Sequence, residues 1–101
     1  MAKVVITRLA FDDIDTIITR LAIHAGWPVS ARFEVEFAAL FDRLAQFPGS
    51  GAPRPKLGKH TRIGIVSPFV VIYDFKQDKV LVLRVVHGRR KITRKLAREK
   101  R

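Results

Sequence analysis

Apolar residues in the first half of the chain recur at a helical period. Phe11, Ile14, Ile17, Ile18, Leu21 and Ala22 share one face of a helix that a short strand over residues 3–7 leads into, with Thr7 as N-cap and Gly26 closing it. Asp12 and Asp13 fall in its early turns, where carboxylates favour the positive end of the helix dipole; with Asp15 they read as structural or surface groups rather than as catalysts. Pro28 suits the first turn of a second helix, which places Phe33, Phe37, Leu40, Phe41 and Leu44 along one stripe and stops near Gln46. Two helices joined at Gly26-Trp27 predict an antiparallel hairpin, with Trp27 as a packing cap at its hinge.

Residues 47–55 carry turn residues without a period and read as a loop; no phosphate-binding glycine pattern is completed there. From His60 onward the period becomes strand-like. Strands are expected over 62–66, 69–75 and 80–86, with turns at Ser67-Pro68 and Lys76-Gln77-Asp78, forming an antiparallel meander. In the last strand, alternation sends Leu81, Leu83 and Val85 one way and Val80, Val82, Arg84 and Val86 the other. Both faces are mostly apolar. Two helices cover only one face of so small a sheet, so the other is left for the chain's own tail or for another protein. The tail, residues 89–101, combines Ile92 and Leu96 with many cations and predicts a short amphipathic helix docked loosely. The expected class is α+β within one domain, 1–101: an opening strand, a helix hairpin packed on a small antiparallel sheet, and a basic C-terminal helix or tail.

Charge changes this picture. The chain of 101 residues carries a net +11, but residues 1–53 hold five cations against six carboxylates, net −1, and the remainder fifteen against three, net +12. A one-sided field of this kind attracts a polyanion or an acidic protein segment within a Debye length of about 8 to 10 Å. The absence of cysteine removes disulfides, thiolate metal sites and cysteine nucleophiles, and three scattered histidines, His24, His60 and His87, do not make a zinc site. No metal or cofactor is expected. No run approaches the roughly 18 to 20 apolar residues of a membrane span, and residues 1–8 do not read as a signal peptide, so a cytoplasmic protein with no membrane partner is expected.

The order and spacing of several short motifs resemble one family. They are Ala10…Asp13-Ile14…Ile17 in the first helix, Pro28…Ala31-Arg32 opening the second, Leu44…Pro48…Gly51 after it, Arg62, Tyr73, and His87-Gly88-Arg89-Arg90 at the end of the last strand. Together they resemble the ParE toxins of the ParE/RelE superfamily of bacterial toxin–antitoxin systems. The resemblance implies a strand, a helix hairpin and an antiparallel sheet in that order. It also implies a toxin neutralised by a small ParD-like antitoxin in a hetero-oligomer, with DNA gyrase as the usual target.

The junction of an apolar strand with His87, Arg89, Arg90, Lys91 and, beyond them, Arg94 is where target contact is expected, with Arg62 as a further contributor. Val80, Val82, Arg84 and Val86 are the expected antitoxin face; Arg84 reads equally as a buried structural ion pair or as the anchor for an antitoxin carboxylate. The RelE branch cleaves messenger RNA on the ribosome, and residue by residue this chain departs from it. Arg90 matches the arginine after the RelE Gly-Lys pair, but the tyrosine falls at Leu96, the arginine opening the third strand at Val70, and the paired lysines near Thr61 and Ile63. His87 is the remaining acid/base candidate, assisting phosphodiester cleavage or else capping the strand. Inhibition of gyrase by binding, ribosome-dependent RNA cleavage, and a basic module contacting DNA or RNA are the three functional expectations, the first favoured.

Overall fold

In the computed structural model, which describes residues 1–99, the elements are β1 (Lys3–Ile6), α1 (Arg8–Ala25), α2 (Trp27–Gln46), β2 (Ala52–Pro53), β3 (Thr61–Val66), β4 (Phe69–Lys76), β5 (Lys79–His87) and α3 (Arg94–Ala97), with a 3-10 turn at Pro48–Ser50. Thr7 caps α1 by accepting from the Ala10 N–H at 3.2 Å, and its hydroxyl donates to the Leu83 carbonyl at 3.1 Å, tying the helix start to β5. The helices are joined through Gly26 alone. Its φ of 91° and ψ of 160° lie in a region closed to residues with a Cβ, so a one-residue link is possible only with glycine there.

The sheet order is β1-β5-β4-β3-β2. β3, β4 and β5 form the expected meander, but the sheet is mixed, because β1 pairs parallel to β5 with Val4 opposite Val80. The hairpin linking β4 and β5 turns on Gln77 and Asp78, both at positive φ (52° and 57°), the geometry whose twist matches the flanking strands.

One irregularity reorganises the faces. Ile72 pairs with Arg84 but Tyr73 pairs with Val82, leaving Leu83 as an extra residue in β5. This bulge breaks the alternation read from the sequence. Val80, Val82 and Val85 all join the cluster of Phe33, Phe37, Leu40, Leu44, Val71 and Tyr73 under the helix hairpin. Val80 and Val82, expected on an open antitoxin face, are fully buried there, and Val86 is buried in a second cluster on the opposite face. That cluster combines Val70, Ile72 and Val86 with Leu57 and, from the tail, Leu96 and Ala97. Of the two coverings the second face could take, the structure uses the chain's own tail.

The tail is clamped rather than loosely docked. Arg98 donates to Asp74 (2.6 and 3.1 Å), to the Thr61 hydroxyl (2.7 Å) and to the Leu57 carbonyl (3.2 Å), while Thr61 also donates to Asp74 at 2.6 Å. The last two expected tail residues, 100 and 101, lie outside the described residues. Two aromatic expectations are corrected. Leu9 and Ala10 are the buried residues at the start of α1 and turn Phe11 outward, and Trp27 stands 76% exposed at the hinge instead of capping the core.

Burial pushes the Asp74 carboxyl up, but the hydrogen bonds from Arg98 and Thr61, with the attraction of Arg98 and His60, outweigh it and hold it below the ordinary carboxylate range. A carboxylate depressed in the folded state contributes stability above its unfolded pKa of about 3.9 and loses it as pH falls further toward the folded value. Asp74→Asn should therefore unfold at lower denaturant than the wild type at neutral pH. The gap between the two should narrow below about pH 4, as followed by urea titrations across pH.

Candidate functional site

At its C-terminal end β5 carries the cationic junction. His87 pairs with Phe69, the Gly88 N–H donates to the Pro68 carbonyl (2.8 Å) and the Arg90 N–H to the His87 carbonyl (2.9 Å), so the chain turns sharply as it leaves the sheet. The His87 ring is oriented from two sides. Its Nδ1 accepts from the Arg89 N–H at 3.0 Å, and the ring stands edge-on to Phe69 at 5.7 Å. Phe69 is itself held edge-on by Phe33 at 5.6 Å and tilted against Phe37 at 6.1 Å, which carries the rigidity of α2 to the imidazole. With Nδ1 an acceptor, the neutral ring carries its proton on Nε2, the nitrogen left to meet a partner.

Beside this end runs a cleft of about 520 Å³ between α1 and the strands. One wall is a stripe of α1: Asp13, Thr16, Ile17, Arg20, Leu21 and His24. The other is Phe69, Val85, Val86, His87 and Arg90. The α1 contribution was not singled out in the sequence, although positions 13, 17, 20 and 24 follow the i, i+3 and i+4 spacing that brings side chains to one helix face.

Asp13 closes one end of the cleft in an ion pair with Arg84, whose exposure is only 6%. Arg84 donates through Nε to Oδ2 (2.7 Å) and through Nη2 to Oδ1 (3.0 Å), and the Val85 N–H adds a third bond to Oδ2 at 3.0 Å. Its Nη1 reaches Glu99 in the tail at 3.3 Å. The hydrogen bonds to Asp13 hold the guanidinium above the ordinary arginine range against the opposing effect of burial. Of the two readings of Arg84, the internal ion pair is the one formed.

The remaining expected residues divide. Arg89, Arg90 and Lys91 are exposed on the turn after β5, and Arg94 is exposed on α3; none makes an ion pair among the described residues. Arg62 lies at the other end of the sheet, where it donates to the Gly49 and Gly51 carbonyls (3.0 and 2.8 Å) and holds the loop before β2. Tyr73 holds the same loop. It is fully buried, donates to the Pro48 carbonyl (2.8 Å), accepts from the Gly51 N–H (3.0 Å), and burial pushes its hydroxyl pKa up against the Gly51 bond and the pull of Arg62 and Arg43. Of the positions matching the RelE set, Arg90 is exposed on the turn, whereas Val70, Thr61 and Leu96 are buried and Ile63 packs with the second cluster. Among the described residues no group of three His, Asp or Glu could hold a metal ion, and no helix is long and apolar enough to cross a membrane.

Asp13→Ala would strand the buried Arg84 guanidinium with only Glu99. Uncompensated buried charges cost about 3 to 5 kcal/mol, and the remaining carboxylate places this variant near the lower end. Glu99 is half exposed, so Glu99→Ala should cost less than about 1 kcal/mol. Denaturant midpoints of the two variants measure the ratio.

The family model for the ParE toxin of the type II toxin–antitoxin system parDE matches residues 4–92. Toxin ParE3 of Caulobacter vibrioides is 27% identical over 99 residues, covering 98% of this chain and 99% of the relative. The solved chromosomal ParDE toxin–antitoxin system from P. aeruginosa superposes with a TM-score of 0.72 over 86% of this chain and 96% of the other, at 22% identity, a likeness of fold. With the match running from β1 to the residues beyond the cationic turn, the chain belongs to the ParE toxin family of type II toxin–antitoxin systems.

Proposed function

We propose that this toxin acts by binding, inhibiting DNA gyrase through the cationic end of β5, and that a ParD-like antitoxin neutralises it in a hetero-oligomer. The observation that carries the reading is the turn at Arg89, Arg90 and Lys91. Three hydrogen bonds hold its backbone, while its side chains stand exposed with no ion-pair partner among the described residues. Cations fixed on a rigid platform keep their charge available to an acidic protein surface, or to the DNA that gyrase holds. Of the residues at the RelE catalytic places only Arg90 is exposed; Val70, Thr61, Ile63 and Leu96 are engaged in packing or in the tail clamp, and Tyr73 is pinned by both of its hydroxyl bonds. Contact through charge and shape therefore fits this surface better than proton transfer at a phosphodiester. His87 then serves as a contact residue whose Nε2 faces the target.

Replacing Arg89 and Arg90 together with Ala should abolish inhibition of gyrase supercoiling by the purified protein. The circular-dichroism spectrum should be unchanged and stability should shift by less than about 0.5 kcal/mol, as for surface positions away from structural features; an unfolded double variant would show the pair to be structural instead.

His87→Gln separates binding from catalysis. A contact residue should change inhibition by roughly 0.5 to 3 kcal/mol of affinity, whereas a general acid or base would cost about 10²- to 10⁴-fold in rate. The supercoiling assay, run beside a ribosome-dependent RNA cleavage assay, distinguishes them; RNA cleavage lost in His87→Gln with target binding retained would overturn the proposal.

A further inference from the structure

The outer edge of the sheet is left open beyond β2. At the start of β3 the His60 carbonyl accepts from the Phe75 N–H in β4, and the Thr61 carbonyl accepts from the Arg54 N–H on the other side. Backbone groups alternate in direction along a strand, so Thr61, Ile63 and Ile65 turn theirs away from β4. The pairing with β2 stops at Ala52 opposite Ile63. Ile65 therefore presents an outward N–H and carbonyl that no hydrogen bond among the described residues satisfies, and its side chain stands 54% exposed. Beside it a cleft of about 370 Å³ runs between α2 and this edge, lined by Leu40, Ile63 and Ile65 together with Arg43 and Arg54. Neither arginine makes an ion pair among the described residues, and no carboxylate lines the cleft. An occupant that satisfies this edge must bring peptide groups, apolar side chains and negative charge together.

We infer that the open edge of β3 seats an extended, acidic segment of the target protein, added to the sheet as a further strand with its carboxylates on Arg43 and Arg54. The inference rests on the reading that the toxin binds a protein target through the end of β5. Ile65 pairs with Val70, and Val70 with Val86, the residue before His87. At about 4.8 Å per strand the open edge lies roughly 10 Å from the end of β5, so one partner surface can span both. A second copy of this chain is the wrong occupant, because it would set arginine against arginine in a molecule of net charge +11. A nucleic-acid backbone matches the cations but leaves the Ile65 carbonyl without a donor and the apolar side unfilled. A peptide alternating carboxylates with apolar side chains supplies all three, its backbone bonding the edge and its side chains dividing between the cleft and the arginines.

Two probes added to the full chain decide it, a synthetic peptide of alternating Glu and Val and purified DNA gyrase, each followed by amide hydrogen–deuterium exchange and by affinity. Both should slow exchange at Ile65. Ile65→Pro removes the outward N–H without touching a bond to β4, and should weaken both complexes about 10-fold. Ile65→Thr keeps the N–H and should bind within about threefold of the wild type. Arg43→Glu combined with Arg54→Glu should weaken both on the order of 10- to 100-fold, with an unchanged circular-dichroism spectrum. If Ile65→Pro fails to fold, the arginine variant and the exchange rate at Ile65 carry the decision. A peptide that leaves exchange at Ile65 unchanged, or binds the folded Ile65→Pro as it binds the wild type, would overturn the seat. So would a DNA duplex that protects Ile65 where the peptide does not. Protection of Ile65 by the peptide or by the antitoxin, but not by bound gyrase, would overturn the assignment to the target. Wild-type toxin that does not bind gyrase at all would sink the target reading and the occupant with it, while the peptide measurements still decide the edge.

Discussion

The ion pair between Arg84 and Asp13 is the constraint on which the arrangement depends. A guanidinium at 6% exposure cannot be left without a partner, and two elements converge to satisfy it, α1 through Asp13 and the tail through Glu99, while the Val85 amide of β5 donates to Asp13 and holds that carboxylate in place. Fixing α1 against β5 at this point sets the angle at which the helix leaves the sheet, and so the width of the cleft ending at His87. A well-packed apolar pair would hold the two elements together as firmly. It would not fix their register through two directed hydrogen bonds, and here register decides which α1 residues face the cationic turn.

The bulge at Leu83 and the pair at Arg84 belong together. Shifting the alternation by one residue lets Val82 and Val85 both reach the core under the hairpin, which a regular strand would not allow, and turns Arg84 toward Asp13 and the tail. The sheet is then apolar on both faces and covered on both, by the hairpin on one side and by α3 on the other. Asp74, Thr61 and Arg98 convert a short and otherwise marginal helix into a fixed lid on the second face. The charge excess remains outside, concentrated where β5 ends. A rigid scaffold with exposed cations is what a protein needs in order to recognise a large partner through charge without rearranging.

Much of this was legible in the chain itself. The helices, their hairpin, the three long strands and the charge imbalance follow from period, turn residues and counting, because each depends on neighbours within a few positions. The order of short motifs from Ala10 to Arg90 was enough to indicate the family. Long-range decisions were not legible. Nothing local distinguishes a strand that runs evenly from one that gains a residue at Leu83, so Val80 and Val82 were expected on an open face and are in the core. Phe11 and Trp27 read as packing residues because they are large and apolar, yet which side of a helix is buried depends on where the sheet lies.

The sequence by itself determined the elements, their order and the sign and location of the charge, since these are properties of local periodicity and composition. Only the tertiary structure decided that Asp13 and Arg84, 71 positions apart, would meet, that the tail would close the second face, and that Arg20 and His24 would stand across a cleft from His87. The physical reason is that buried charge pairing and face coverage are settled by which elements are adjacent in space. Several arrangements of the same elements satisfy the local pattern; the one adopted leaves no buried side-chain polar atom among the described residues without a partner.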